Sequence, residues 1–177
     1  MLEKIDLSVK IPHDAYEALI SKTQLRLLNL QVKMREKGIP MVVIYEGWDA
    51  SGKGGSIMRI VEQLDPRGYR VIPIGAPTET ERCHHYLWRF WINLPGCGQL
   101  AIFDRSWYGR VLVERVEKYA TKAEWRRAYR EIREFERMLI DGGCPLVKFW
   151  LHISQDEQLR RFKERENNPY KRWKIGP

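Results

Sequence analysis

The 177-residue sequence is poor in cysteine and has no long apolar run. Its three cysteines, Cys83, Cys97 and Cys144, are odd in number and follow no metal-ligand spacing, which indicates a reducing intracellular compartment. No apolar run approaches the roughly 18 residues of a membrane-spanning helix. The opening segment, MLEKIDLSVK, lacks the apolar core of a signal peptide. We therefore expect a cytoplasmic protein without a membrane partner.

Positive charge is present in moderate excess. The sequence has 31 lysines and arginines against 23 aspartates and glutamates, a formal net charge of +8. This excess indicates an anionic partner, for which phosphates, nucleic acid and acidic lipid are all candidates. With 44% hydrophobic and 31% charged residues, the composition is that of an ordinary globular protein. The length predicts a single domain over residues 1–177, opened by a helical segment within residues 1–40.

Runs typical of buried strands alternate with helical patterns along the chain. The predicted strands lie at 41–45, 69–75, 99–106 and 144–153. The predicted helices lie at 14–37, 51–65, 78–94, 108–140 and 154–168. The apolar stripe expected on the first helix comprises Leu19, Leu25, Leu28 and Val32. This alternation predicts an α/β fold with a parallel sheet, helices on both of its faces, and a ligand site at the carboxyl ends of the strands.

A glycine-rich loop lies between the first strand and the next helix. Residues 47–54, GWDASGKG, match the phosphate-binding pattern G-x-x-x-x-G-K-[ST] except at the last position, where Gly54 replaces the hydroxyl residue. Glycines let backbone N–H groups curl around phosphate oxygens, and the following helix directs its N-terminus at the anion. Lys53 supplies a mobile positive charge for the terminal phosphates. The other residues expected to bind phosphate here are Gly47, Ala50, Ser51, Gly52, Gly54 and Gly55. An ordinary glycine turn is the alternative.

Two carboxylates are candidates to replace the missing hydroxyl. Asp49 lies inside the loop, and Asp104 follows an apolar strand in the sequence IFDRS, where nucleotide kinases place an acid that faces the metal. We expect Asp49 and Asp104 together to hold Mg²⁺, with Mn²⁺ as the alternative ion. Asp49 could instead bond its own backbone as a turn residue, and Asp104 could cap the following helix.

Arginines near these acids are candidates for binding phosphate. Arg105 directly follows Asp104, where its guanidinium could clamp a phosphate through two hydrogen bonds. The segment 160–174, RRFKERENNPYKRWK, is typical of a mobile lid that closes cations over a phosphoryl group and excludes water. Arg161 and Arg165 lie four residues apart on one helix face, and we assign them to substrate binding. A solvated charged face is the alternative.

Six motifs together resemble the polyphosphate kinase 2 family over almost the whole chain: GWDASGKGG, LDPRGYRV, APTETE, YLWRFW, FDRSWYGRVLVERVE and RFKERENNPYKRWK. Within that family they are most similar to polyphosphate:AMP phosphotransferases. The resemblance implies a P-loop fold like that of thymidylate kinase, with a basic lid at 154–177. It also implies Mg²⁺-dependent phosphoryl transfer between inorganic polyphosphate and a nucleotide, AMP to ADP and also ADP to ATP. The family's acidic pair falls on Asp49 and Asp104, and its neighbouring arginine on Arg105.

Two other function classes remain open. An ATP-dependent nucleotide kinase of the thymidylate kinase type shares the loop and lid but normally keeps Ser or Thr at position 54. A non-catalytic polyphosphate- or nucleotide-binding module is the second, because family chains continue past the lid motif whereas this one stops after PYKRWK, so a fragment or a natural truncation is expected. Nucleic acid is not expected as a partner, since no reader motif is visible. We also expect a homo-oligomer, a dimer or a tetramer; the helix at 122–140 is a candidate contact, with packing on its own sheet as the default.

Overall fold

The computed structural model describes residues 2–174, which form a parallel sheet flanked by helices. The strands are β1 (Met41–Gly47), β2 (Tyr69–Pro73), β3 (Leu100–Asp104) and β4 (Leu146–Leu151). The helices are α1 (His13–Glu36), α2 (Lys53–Val61), α3 (Glu79–Arg82), α4 (Trp88–Trp91), α5 (Val113–Val116), α6 (Lys122–Asp141) and α7 (Gln155–Glu166). Short 3₁₀ helices lie at Leu2–Lys4, Pro66–Gly68, Trp107–Arg110 and Arg172–Lys174. Residue 1 of the predicted N-terminal segment and residues 175–177 of the predicted lid lie outside the described residues.

The burial of the central strand, β1, on both faces is explained by its sequence. The strands are hydrogen-bonded in the order β2-β3-β1-β4, and every pair is parallel. Val42 and Ile44 of β1 belong to the apolar core on one face of the sheet, and Val43 and Tyr45 to the core on the other. None of the four is more than 6% exposed. A continuous apolar run is what a strand covered on both faces requires.

The connections that follow β1 and β3 cross opposite faces of the sheet. From β1 the chain passes through α2 to β2, and from β3 it passes through α6 to β4 on the other side of β1. Ile57 of α2 lies in the core on one face, and Ile132 and Phe135 of α6 lie in the core on the other. The predicted α/β fold with helices on both faces is therefore confirmed. The carboxyl ends of β1 and β3 flank a crevice where the strand order reverses, which is the usual ligand position in such sheets.

The single helix predicted over 78–94 is wrong. The structure has α3 and α4 there, with a break at residues 83–87. At the break, the His84 ring stacks on the Trp88 ring with centroids 4.1 Å apart. The interrupted segment contains neither glycine nor proline, so no helix-breaking residue accounts for the break.

The continuous helical stretch predicted over 108–140 is also divided. A 3₁₀ helix and α5 precede α6, which begins only at Lys122. Lys118 has a φ of +59°, which no helix accommodates, and the Thr121 hydroxyl accepts a hydrogen bond from the Glu124 N–H to cap α6. The buried residues of α6 include Ala128, Ile132, Phe135 and Leu139. They pack on the sheet of their own chain, which was the default expectation for this helix.

The apolar stripe predicted for α1 is largely wrong. Leu19, Leu25 and Val32 are 54%, 60% and 48% exposed. The helix is held in part by the buried Gln31, whose Nε2 donates to the Asp65 carbonyl at 3.0 Å and whose Oε1 accepts from the Asp65 N–H at 2.8 Å. An argument from apolar periodicity cannot find such an amide contact. Among residues 2–174, neither α1 nor any other helix is long and apolar enough to cross a membrane.

Among residues 2–174, β4 forms one edge of the sheet, and no strand pairs with its outer side. It lies at the end of the strand order and pairs with β1. Phe149 and Trp150 are each 39% exposed. Lys148 is the single charged residue in the strand sequence LVKFWL. Within the described part of the chain, the edge therefore combines apolar side chains, one cation and backbone groups that no strand pairs.

Candidate functional site

The path of the predicted phosphate loop, residues 47–54, depends on its glycines. β1 ends at Gly47, whose φ is +143°, and a Cβ built there would lie 2.3 Å from the Leu151 carbonyl oxygen of β4. No side chain fits so close to a neighbouring backbone. Gly52, which precedes α2, has a φ of +103°, and Ala50 between them has a φ of +61°. Since three of six consecutive residues have a positive φ, the chain turns sharply from the strand into the helix.

Lys53 is the first residue of α2 and folds back over the loop. Its Nζ donates to the carbonyl oxygens of Gly47 at 2.9 Å and of Trp48 at 3.0 Å. An ammonium group has three N–H donors, so one remains for a phosphate oxygen. Burial lowers the pKa of Lys53, and the negative charges of Asp49 and Asp104 act in the opposite direction. The structure therefore places a half-buried cation between the loop and the two predicted metal carboxylates.

Asp104 and Arg105 reach the same place from the end of β3. Arg105 has a φ of +71°, and its N–H donates to the Tyr45 carbonyl of β1 at 2.9 Å. Its NH2 group donates to Asp49 Oδ1 at 3.1 Å. Because the Arg105 and Asp49 side chains are 48% and 62% exposed, this ion pair is weak and a phosphate could displace either partner.

Asp49 and Asp104 suit Mg²⁺, because this ion does not need a site formed entirely by protein ligands. Asp49 and Asp104 line one cleft together with Lys53. No group of three or more His, Cys, Asp or Glu side chains within residues 2–174 could hold a metal ion. Mg²⁺ in phosphoryl-transfer sites is usually held by one or two carboxylates, with water and substrate phosphates completing its coordination. The donor set is of this kind, and the assignment of Mg²⁺ to these residues stays a prediction.

A cleft of about 1340 Å³ brings the predicted site residues together. Every residue predicted for catalysis or binding lines it except Gly47: Asp49, Ala50, Ser51, Gly52, Lys53, Gly54, Gly55, Asp104, Arg105, Arg161 and Arg165. Apolar residues of α2 and β2 line the cleft as well, namely Ile57, Met58, Val61 and Val71. Lys171 adds a further cation from beyond α7. The cleft is therefore lined by several cations that could accompany an extended polyanion.

α7, the predicted lid helix, contacts the loop directly. Arg161 donates through NH1 to the carbonyl oxygens of Ala50 at 3.1 Å and Ser51 at 2.9 Å. One turn earlier, Gln158 Nε2 donates to the Asp49 carbonyl at 2.9 Å. Arg161 was predicted as a phosphate ligand, whereas here its guanidinium binds loop backbone. Gln158 was missed, because nothing in its local sequence distinguishes it from a solvated helix residue.

Glu46 is a second residue that the sequence analysis missed. Its carboxylate accepts hydrogen bonds from the Ser106 N–H at 2.8 Å and the Ser106 hydroxyl at 2.7 Å. Burial raises the pKa of Glu46, against the effect of these hydrogen bonds. The contact ties the end of β1 to the segment that follows Arg105. An acid directly after the buried run MVVIY was the available signal.

An ion pair between the buried Glu136 and the half-exposed Lys148 supports the same segment. Glu136 of α6 accepts from Trp107 Nε1 at 3.0 Å and from Lys148 Nζ at 2.7 Å. Trp107 is fully buried, and Lys148 also donates to the Tyr108 hydroxyl at 3.0 Å. Burial acts to lower the pKa of Lys148, but the hydrogen bonds to Glu136 and Tyr108 outweigh it and raise the pKa overall. This network fixes the chain that carries Asp104 and Arg105.

Comparisons with known proteins agree with this geometry. The family model described as Polyphosphate kinase 2 (PPK2) matches residues 10–177. A polyphosphate:AMP phosphotransferase of Pseudomonas aeruginosa is 50% identical over 175 residues, which is 99% of this chain and 35% of that protein. A GDP-polyphosphate phosphotransferase of Mycobacterium tuberculosis is 44% identical over 168 residues, 95% of this chain and 57% of that protein.

A solved structure shows the same fold. The crystal structure of polyphosphate kinase 2 from Arthrobacter aurescens TC1 superposes with a TM-score of 0.93 at 34% identity, covering 99% of this chain and 65% of that one. The chain spans about a third of the length of the Pseudomonas aeruginosa relative. The match of the family model to nearly all of the sequence, together with these relatives, shows that the chain belongs to the polyphosphate kinase 2 family.

Proposed function

We propose that this chain transfers phosphoryl groups between inorganic polyphosphate and a nucleotide, with AMP as the first acceptor and ADP as the product. One structural observation carries the proposal: the phosphate loop after β1 and Asp104–Arg105 after β3 lie at adjacent strand ends and line one basic cleft. The name of the Pseudomonas aeruginosa relative supports AMP as the acceptor.

Each residue of the cleft has a role that its position and charge determine. The loop N–H groups and Lys53 bind the terminal phosphates of the donor, and Arg105 and Arg165 neutralise charge on the transferring group. Mg²⁺ bound at Asp49 and Asp104 would supply further neutralisation of phosphate charge. Phosphoryl transfer demands little covalent chemistry from the protein, so alignment of donor and acceptor within the cleft accounts for the catalysis.

The direct test is ADP formation from AMP, with polyphosphate and with ATP as donors, in the presence and absence of Mg²⁺. Lys53→Ala and Asp104→Asn should each lower kcat/KM by about 10²-fold or more, as expected for loss of a preorganised charge. Lys163→Ala is the matched control, because Lys163 is an exposed cation of α7 outside the cleft. Equal turnover by wild type and Lys53→Ala would refute the assignment.

The donor comparison also separates the alternatives. Faster turnover with ATP than with polyphosphate would indicate an ATP-dependent nucleotide kinase. Tight binding of polyphosphate without magnesium-dependent turnover would indicate a binding module. A homo-oligomer stays a prediction, and light scattering of the purified chain measures it.

Nucleoside diphosphates are the second candidate acceptors. The Mycobacterium tuberculosis relative is a GDP-polyphosphate phosphotransferase, and a Ruegeria pomeroyi relative, 41% identical, is an NDP-polyphosphate phosphotransferase. Parallel assays with AMP, ADP and GDP at equal concentration distinguish the two acceptor classes. A kcat/KM for ADP or GDP above that for AMP would favour the diphosphate.

A further inference from the structure

Three consecutive carbonyl groups of the phosphate loop are bound by side chains of one helix. The Asp49 carbonyl accepts from Gln158, and the Ala50 and Ser51 carbonyls accept from Arg161. Gln158 and Arg161 lie three residues apart on α7, so they present their donors from one face of the helix. The donors are about 110 residues away from the loop in sequence, which makes this a tertiary contact rather than a local turn.

These contacts determine where the loop N–H groups point. In a planar trans peptide, the C=O of one residue and the N–H of the next point in opposite directions. Carbonyl groups bound to α7 therefore turn the N–H groups of Ala50, Ser51 and Gly52 away from that helix. The Ser51 N–H donates to the Trp48 carbonyl at 3.1 Å. Within residues 2–174, the N–H groups of Ala50 and Gly52 have no hydrogen-bond acceptor, so both are free to bind an anion.

The orientation of Arg161 is itself fixed. Glu157 Oε1 accepts from Arg161 Nε at 2.6 Å, while NH1 of the same guanidinium reaches the loop. The Glu157 N–H is in turn held by the Ser154 hydroxyl that caps α7, at 3.2 Å. Arg161 is only one-third exposed, which limits the alternative positions of its guanidinium. The helix thus carries a donor whose direction is set before any substrate arrives.

We propose that α7 is a clamp on the phosphate loop, in which Gln158 and Arg161 act as positioning residues that hold the loop backbone in its anion-binding conformation. The inference rests on the proposed function, since it assigns both residues to the loop that binds the donor phosphates. In this proposal the lid helix holds the shape of the loop, in addition to contributing cations to the cleft. Motion of α7 and order in the loop are then coupled.

The test compares Gln158→Leu with Gln155→Leu in the 177-residue chain. Both variants replace a glutamine of α7 by an apolar residue of similar size, but Gln155 is exposed and one turn from the contact. Backbone ¹⁵N order parameters of residues 49–52 should fall from about 0.85 to below about 0.6 in Gln158→Leu alone. The dissociation constant for tripolyphosphate, measured by calorimetry, should rise about fivefold in the same variant, as expected for loss of one hydrogen bond.

Arg161→Leu and Arg161→Lys provide the second comparison. Arg161→Leu should raise the dissociation constant more than Gln158→Leu does, because it removes two contacts, and Arg161→Lys should recover part of the loss. Unchanged order parameters in both Gln158→Leu and Arg161→Leu would overturn the clamp. A mobile loop with unchanged tripolyphosphate affinity would overturn the positioning role. Absence of tripolyphosphate binding by the wild type would count against the proposed function, and the order parameters of the free protein would still decide the clamp.

Discussion

Gly47 is the position at which the smallest change should have the largest effect on stability. A Cβ at this residue would lie 2.3 Å from the oxygen, 2.9 Å from the nitrogen and 3.0 Å from the carbonyl carbon of Leu151. All three are backbone atoms of the neighbouring strand, so no side-chain rotation can relieve the overlap. Gly47→Ala must therefore separate β1 from β4 or change the backbone at the start of the phosphate loop.

The expected loss has two parts. A φ of +143° is strained for a residue with a Cβ, and such strain costs about 1–3 kcal/mol. Overlap in a packed interior adds about 1–3 kcal/mol. The free energy of unfolding should therefore fall by about 2–6 kcal/mol, a large fraction of the 5–15 kcal/mol that is typical of a domain. With a urea dependence of about 2 kcal/mol per molar, the unfolding midpoint should fall by about 1–3 M.

Gly54→Ala is the matched control in the same loop. An added Cβ there has no atom within 4 Å, and Gly54 does not have a positive φ. Alanine in the first turn of α2 should leave the free energy of unfolding unchanged or raise it by up to about 1 kcal/mol. Urea unfolding followed by tryptophan fluorescence measures both variants. If Gly47→Ala unfolded at the same urea concentration as the wild type with the same slope, the close approach of β1 and β4 would be refuted.

Three further predictions concern charge. Lys148→Met should leave the buried Glu136 carboxylate without its cation and lower the free energy of unfolding by about 1–3 kcal/mol. Arg130→Met breaks an exposed ion pair and should cost less than about 1 kcal/mol, so equal urea midpoints for the two variants would contradict a stabilising role of the Lys148–Glu136 pair. Glu46→Gln should gain stability relative to the wild type as the pH rises above 4.5, because burial raises the pKa of Glu46 and the folded wild type must then hold a desolvated charge. Thermal unfolding from pH 4 to 8 measures this gain, for which each unit of pKa shift corresponds to about 1.4 kcal/mol. A stability difference between the two proteins that did not change with pH would refute the desolvation of Glu46. Finally, the affinity for tripolyphosphate should fall linearly in a plot of log K against log salt, since each phosphate charge displaces counterions. A flat plot would show that the cations of the cleft do not bind the anion.

The sequence predicts the fold well where local pattern and global position agree. The run MVVIY is typical of a strand buried on both faces, and Gly47 and Gly52 after it take positive φ angles that suit the turn into the helix. The position of Asp104 beside the loop was also predictable, because parallel strands bring their carboxyl ends to one edge of the sheet. For this reason Asp49, Lys53 and Asp104 lie in one cleft, although their catalytic and metal-binding roles stay predictions.

The parts that the sequence did not reveal depend on distant partners. Gln31, Gln158 and Glu46 each bind a group brought near by the fold, and each resembles an ordinary polar residue in its own segment. The break at residues 83–87 was missed for a different reason, since no glycine or proline marks it in the sequence. Periodicity identifies which residues face the core only when the core contact is apolar.

The open side of β4 has a practical consequence for work on this chain. The backbone groups of an edge strand can pair with an edge strand of another molecule. The exposed side chains of Phe149 and Trp150 favour such association at this edge. Lys148 is the single charged residue of the strand, and its ammonium group is paired with Glu136. The chain should therefore self-associate as its concentration rises, and its unfolding is best measured in dilute solution.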